Sequence, residues 1–193
     1  MKKTIFLSTL VLLLASCSSD DEPIQVVNNF PSQNEVERII PGKTWSFAGQ
    51  SFVDSKGNSF DWCELNGYTI GLFGFAVTGD EVKVAKQPFM QHFYSQIFKW
   101  TYDEKTGHLD IGYECYIESI SEDEIVLRKD YGILTTDFKE YMDGAIQSPQ
   151  GDRDPDSYAR LVYKPYDTAE KAEEFWSHYP VKEGDSPYFT VNH

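Results

Sequence analysis

The chain has 193 residues and a formal net charge of −14 at pH 7. That charge argues against nucleic acid and anionic lipid as partners, because both would repel the protein. The length suits one domain with an ordinary core, and 13 Phe, 12 Tyr and 4 Trp residues among dispersed Gly and Pro favour an all-β barrel or sandwich.

The N-terminus has the pattern of a signal peptide. Lys2 and Lys3 precede an apolar run at residues 4–15, which is too short to span a bilayer as a helix. The run ends in Leu-Ala-Ser-Cys17, which resembles the lipobox of bacterial lipoproteins. This resemblance implies a signal peptide at residues 1–16, cleavage before Cys17, and acylation of that cysteine by diacylglyceryl and palmitate-like chains. An ordinary secretory signal that happens to contain a cysteine is the alternative.

Residues 17–31 are then expected to form a lipidated tether. Acyl chains anchor a protein without spanning the membrane, because each buried methylene contributes about 0.8 kcal/mol. Asp20, Asp21 and Glu22 resemble the acidic export signal of surface lipoproteins in one group of Gram-negative bacteria. The resemblance implies an outer-membrane location, with exposure at the cell surface; a merely solvated tether is the alternative.

A single β-rich domain is predicted at residues 32–179, and it opens with a short helix. Ser32 and Glu35 form a capping-box pattern before an apolar stripe that ends at Pro41-Gly42. Gly42 and Trp45 then enter the first strand. This order of elements resembles a lipocalin-like barrel, which begins with a short helix, then Gly and Trp, then an antiparallel meander. The motif of that family has one residue between Gly and Trp, whereas this chain has two.

Turn signals divide the next part of the chain into strands. Residues 54–58 predict a turn and Asn66-Gly67 a hairpin. The strands expected around them are at residues 60–65, 68–77 and 82–85.

The clearest periodicity lies at residues 94–129. Phe98, Trp100 and Tyr102 alternate with polar residues, which predicts one strand with three aromatic side chains on its inner face. Residues 109–117 continue the alternation and predict a second long strand. Residues 125–128 begin a third, so the pattern predicts an antiparallel meander.

The C-terminal third contains a long polar stretch between strands. Residues 132–157 are predicted to be an excursion with a helix near residues 136–142, and residues 158–163 a closing strand. Asp167 or Thr168 is expected to cap a helix that runs to Tyr179. Residues 180–193 form a C-terminal tail.

Few residues suggest chemistry. Cys63 and Cys115 could form a disulfide in an exported protein or remain buried thiols. Asp152, Asp154 and Asp156 have the spacing of calcium ligands, but Pro155 and the absence of the expected Gly favour a solvated turn. No histidine spacing predicts a metal, no motif predicts a catalytic residue, and no cofactor is implied.

Four aromatic residues are candidates for ligand contacts. Trp45, Trp62, Tyr68 and Trp100 could line a pocket for an apolar ligand or stack on sugar rings, or they could be core. The first functional hypothesis is a lipid-anchored, non-enzymatic, lipocalin-like domain that binds a small ligand or glycan. The second is a structural or protein-interaction lipoprotein with a filled barrel, and the third is a hydrolase. The oligomeric state does not follow from the sequence.

Overall fold

The computed structural model describes residues 30–61, 72–86, 93–130, 134–148 and 150–181. It confirms the all-β prediction: these residues form one curled antiparallel sheet with three short helices. The elements in chain order are α1 (Gln33–Ile39), β1 (Thr44–Val53), β2 (Ser59–Asp61), β3 (Leu72–Thr78), β4 (Glu81–Lys86), β5 (Tyr94–Lys99), β6 (Thr101–Asp103), β7 (His108–Asp110), β8 (Glu114–Ile120), β9 (Ile125–Asp130), α2 (Phe138–Met142), β10 (Tyr158–Pro165) and α3 (Ala169–Ser177).

The strand order is β5-β4-β3-β1-β10-β9-β8-β7-β6, with β2 beside β1. The two strands at the ends of this order are consecutive in the chain and are separated only by Trp100. The sheet therefore curls until its two ends meet in one extended segment, which makes the fold barrel-like. The inner face holds the hydrophobic core, as alternation along each strand requires.

The predicted strand through Trp100 is interrupted at that residue. β5 pairs with β4, whereas β6 pairs with β7, and the Trp100 N–H donates to the Asp80 carbonyl, 3.3 Å away. The break arises because the two halves of the segment belong to opposite ends of the sheet. The predicted face is confirmed: Phe98, Trp100 and Tyr102 pack against the core, and Lys99 is exposed.

The prediction of one strand at residues 109–117 is wrong. The chain reverses there, and β7 and β8 form a hairpin that pairs Asp110 with Glu114. Gly112 has φ +68°, and its N–H donates to Asp110 Oδ1, 2.8 Å away, so an Asx-type turn fixes the reversal. Alternation continued across the turn because Leu109, Ile111 and Cys115 all face the same core.

The predicted helices are present. Ser32 Oγ accepts the Glu35 N–H at the start of α1, and Thr168 Oγ1 accepts the Lys171 N–H at the start of α3. α1 buries Val36 and Ile39 against one end of the sheet. α3 lies outside, over β3, where a side chain on Gly74 would come within 2.7 Å of the Phe175 ring.

The chain beyond α3 touches the sheet edge. The Ser95 N–H donates to the Pro180 carbonyl, 2.9 Å away, and Val181 forms a parallel bridge with Ser95. No helix among the described residues is both long and apolar enough to cross a membrane. The predictions for the signal peptide, Cys17, tether residues 17–29, residues 62–71 (which include Trp62, Cys63 and Tyr68) and the tail beyond residue 181 lie outside the described residues.

Candidate functional site

The two ends of the curled sheet differ in chemistry. We call the end where β1 begins the plugged end; it is defined by α1, Trp45 and Trp100. We call the opposite end, where β1 ends, the lysine end; it is defined by Lys86, Tyr113 and Lys129. The first name refers to the aromatic side chains that fill the interior, and the second to the lysine side chains on the inner face.

Trp45 fills the plugged end. Its side chain has no exposed surface, and its Nε1–H donates to the Ile40 carbonyl, 3.0 Å away. Its ring stacks on Phe75 with 6.5 Å between centroids, and Phe75 contacts Tyr163 edge to face. The Tyr163 hydroxyl donates to the Leu72 carbonyl, so the polar atom of this buried ring also has a hydrogen-bond partner. Trp45 thus has the contacts of a core residue.

Trp100 lies at the same end but is only half-buried. Its Nε1–H donates to the Gly79 carbonyl, 3.0 Å away, across the junction of β5 and β6. Of the four predicted ligand contacts, Trp45 and Trp100 therefore share the plugged end, and Trp62 and Tyr68 lie outside the described residues. A ligand role for these four residues remains a prediction.

Strand phase places two lysines on the inner face at the lysine end. Lys86 follows buried Val82 and Val84 at intervals of two, and Lys129 follows buried Ile125 and Leu127 in the same way. Lys86 is paired with Tyr94, which is buried, and Lys129 is paired with Ala159, which is fully buried. Because directly paired residues share a face of the sheet, both lysines point inward.

The two ammonium groups approach the same three-residue segment. Lys86 Nζ donates to the Gly112 carbonyl, 2.9 Å away, and Lys129 Nζ donates to the Glu114 carbonyl, 2.6 Å away. Tyr113 lies between those carbonyls along the chain, and its ring centroid is 4.8 Å from Lys129 Nζ. Lys86 Nζ is 4.4 Å from the Phe98 ring centroid. The hairpin of β7 and β8 thus holds two cations around one tyrosine.

Desolvation changes the acid–base properties of this end. Burial lowers the pKa of Lys86 to about 8, and the nearby Asp110 carboxylate opposes that shift. At pH 7 the protonated form of Lys86 still exceeds the neutral form by about tenfold. Gln50 and Tyr94 add buried polar groups to the inner face of the sheet. The lysine end can therefore offer charged and neutral hydrogen-bond donors inside an otherwise apolar interior.

Asp154 has a structural role. Its carboxylate accepts N–H groups from Ser55, 2.9 Å away, and Asp156, 3.2 Å away, and the Ser55 hydrogen bond lowers its pKa. These bonds tie the excursion before β10 to the turn after β1. In the described parts of the chain, no cluster of side chains could hold a metal, and Asp154 is the one buried carboxylate.

Cys115 is a buried free thiol next to the lysine end. Its Sγ lies 3.4 Å from the Leu109 carbonyl, and burial raises its pKa to about 12. A thiol so strongly held in its protonated form is a poor nucleophile, so Cys115 serves as a small apolar core residue.

Lys86 and Lys129 are not among the site residues predicted from the sequence. The signal was present: each lysine continues an alternation of apolar residues, Val-x-Val-x-Lys86 and Ile-x-Leu-x-Lys129, at the end of its strand. That both strands end at the same end of the barrel becomes visible only from the register. Comparisons with protein-family models, with characterised proteins and with solved structures found no match to this chain.

Proposed function

We propose that this protein is a lipid-anchored protein of the bacterial cell envelope whose barrel-like domain binds a small ligand at the lysine end, without catalysis. The observation that supports binding is the inward placement of Lys86 and Lys129 around Tyr113. Partial burial of the Lys86 ammonium costs folding stability, and an interior that only had to pack would be more stable with an apolar residue there. Residues that lower stability in this way are common at functional sites.

A second candidate is a filled barrel that acts through its outer surface. The observation that favours it is the plugged end, where Trp45, Phe75 and Tyr163 leave no exposed surface. The two candidates differ in whether the packing of the plugged end extends to the lysine end. A ligand-binding assay therefore separates them.

The assay uses residues 17–193, produced without a signal peptide so that no acyl chain competes with the probe. Two fluorescent dyes, N-phenyl-1-naphthylamine and 1-anilinonaphthalene-8-sulfonate, are titrated separately. We expect saturable binding of at least one dye at one site per chain. Failure of both dyes to bind would contradict the proposed function and favour the filled barrel.

A pair of matched variants locates the bound dye. Ala159→Leu adds bulk to the inner face directly beside Lys129, whereas Ala48→Leu adds the same bulk to an exposed position of β1. We expect Ala159→Leu to weaken dye binding and Ala48→Leu to leave it unchanged. Near-ultraviolet circular dichroism establishes that both variants keep native packing. Equal binding by both variants would place the dye elsewhere.

The anchoring proposal rests on the lipobox resemblance at Cys17. Cys17→Ala removes the acyl acceptor, so metabolic labelling with a radioactive fatty acid should be lost and the product should leave the detergent phase. Cys63→Ala serves as the matched control and should keep the label. Undiminished labelling of Cys17→Ala would contradict the lipoprotein proposal.

Surface exposure is tested separately. Protease is added to intact cells that carry either the natural chain or a variant with Asp20, Asp21 and Glu22 all changed to Ala. We expect digestion of the natural chain and protection of the variant, because the acidic run resembles an export signal. Protection of the natural chain would mean periplasmic residence.

A further inference from the structure

We infer that the ligand of the lysine end is an organic anion with an apolar body, whose anionic group is bound between Lys86 and Lys129. This inference rests on the proposed function, since it names the chemical class of the ligand for the same site. Two observations carry it: the convergence of the two lysines on one segment, and the unused donors of Lys129 beside the Tyr113 ring.

The first observation is convergence. Both ammonium groups donate to carbonyls of one short segment, Gly112 and Glu114, although they come from strands β4 and β9. Strands β3, β1 and β10 lie between β4 and β9 in the sheet order, so the two side chains reach this segment from separate parts of the sheet. An anionic group bound beside the segment would be attracted by both ammonium groups.

The second observation is the capacity of Lys129 to bind more. An ammonium group has three N–H donors, and Lys129 directs one of them to the Glu114 carbonyl and places its charge near the Tyr113 ring. Among the described residues, no carboxylate lies within ion-pair distance of Lys129. Its remaining donors match the lone pairs of a carboxylate or sulfonate.

The net charge of the chain opposes an anionic ligand and so sets a requirement for the site. The chain has a formal net charge of −14, so its long-range field repels anions. An anionic ligand therefore needs cations at short range, in a medium where the charge interaction is stronger than in water. Lys86, which is partly buried beside the Phe98 ring, meets this requirement, and Phe98 and Tyr113 offer surface for the apolar body of the ligand.

The experiment compares two dyes that differ by one sulfonate group. 1-Anilinonaphthalene-8-sulfonate is N-phenyl-1-naphthylamine with an added sulfonate, so the ratio of their dissociation constants isolates the contribution of the anion. Both are titrated into residues 17–193 of the natural chain and of Lys86→Met, Lys129→Met and Lys99→Met. Lys99 is the matched control because it faces outward with 81% of its side chain exposed.

We expect the natural chain to bind the sulfonate dye more tightly than the neutral dye. Lys86→Met and Lys129→Met should each weaken binding of the sulfonate dye by about tenfold, the loss expected for one charge-assisted hydrogen bond. Neither should weaken binding of the neutral dye, and Lys99→Met should change neither dye. The natural chain supplies a test even if one variant fails to fold.

Two outcomes would overturn the inference while leaving the proposed function in place. One is equal affinity of the natural chain for both dyes. The other is tight binding of the sulfonate dye that both interior variants retain. Failure of both dyes to bind would instead contradict the proposed function itself.

Discussion

The plugged end and the lysine end are built on the same strands but satisfy their interior groups differently. At the plugged end, Trp45 and Tyr163 direct their polar atoms to backbone carbonyls, and their rings fill the space. At the lysine end, Lys86 and Lys129 also donate to carbonyls, but through amino groups that lie near aromatic rings. One end is a packed aromatic core, and the other places lysine side chains on the inner face.

This difference predicts that the two ends contribute differently to the stability of the sheet. Apolar burial contributes about 25 cal/mol per Å² of surface removed from water, so the plugged end is expected to provide much of the folding free energy. Charged groups in a partly desolvated site reduce that free energy. Substitutions at the two ends should therefore change stability in opposite directions.

The largest effect is expected for Trp45→Ala. Removing a fully buried Trp costs about 3–5 kcal/mol, a large share of the about 5–15 kcal/mol that holds a domain together. Urea denaturation followed by circular dichroism measures the loss. The matched control is Trp176→Ala, because Trp176 is half-buried on α3 outside the sheet, where its Nε1–H donates to Thr44 Oγ1. An equal loss in both variants would mean that the plugged end is not the stabilising core.

A smaller effect is expected for Trp100→Ala, which alters the junction of β5 and β6. Trp100 is half-buried and loses one hydrogen bond to Gly79, so we expect about 1–3 kcal/mol of destabilisation. Lys99→Ala, on the exposed face of the same segment, should stay within about 0.5 kcal/mol. Urea midpoints compare the two. If Trp100→Ala keeps its stability but loses dye binding, Trp100 is a ligand contact and the binding site extends to the plugged end.

The smallest effect, and one of opposite sign, is expected for Lys86→Met. Because burial lowers the folded-state pKa of Lys86 to about 8 from the ordinary 10.5, the folded chain binds fewer protons than the unfolded chain between those two values. The stability of the natural protein therefore rises through that window, and the desolvation cost is fully present below pH 8. We expect Lys86→Met to be about 1 kcal/mol more stable at pH 7, since partial exposure and the lost Gly112 hydrogen bond both reduce the gain.

The measurement is the difference in free energy of unfolding between Lys86→Met and the natural chain at pH 7 and at pH 10. The difference should shrink toward pH 10, because the natural lysine then sheds its proton in the folded state. Lys99→Met should show no such pH dependence. A stability difference that is independent of pH would mean that Lys86 is not desolvated in solution.

Much of the local structure followed from residue pattern. Ser32 and Thr168 cap their helices because a hydroxyl oxygen accepts an N–H of the first turn, which is a matter of a few neighbouring residues. The inward face of residues 98–102 followed from a period of two, which tertiary contacts did not alter. The alternation of apolar residues did not predict the turn at Gly112. Both arms of the β7–β8 hairpin face the same core, so the alternation continues unchanged across the reversal.

The sequence by itself therefore determined the fold class, the helix caps and which side of each strand is apolar, because these depend on propensity and on spacing of a few residues. Only the tertiary structure decided that β5 and β6 lie at opposite ends of the sheet order, and that Lys86 and Lys129 donate to the carbonyls on either side of Tyr113 along the chain. The reason is physical: strand register and curvature are set by the packing of the whole inner face, so side chains 43 positions apart come together without any local signal.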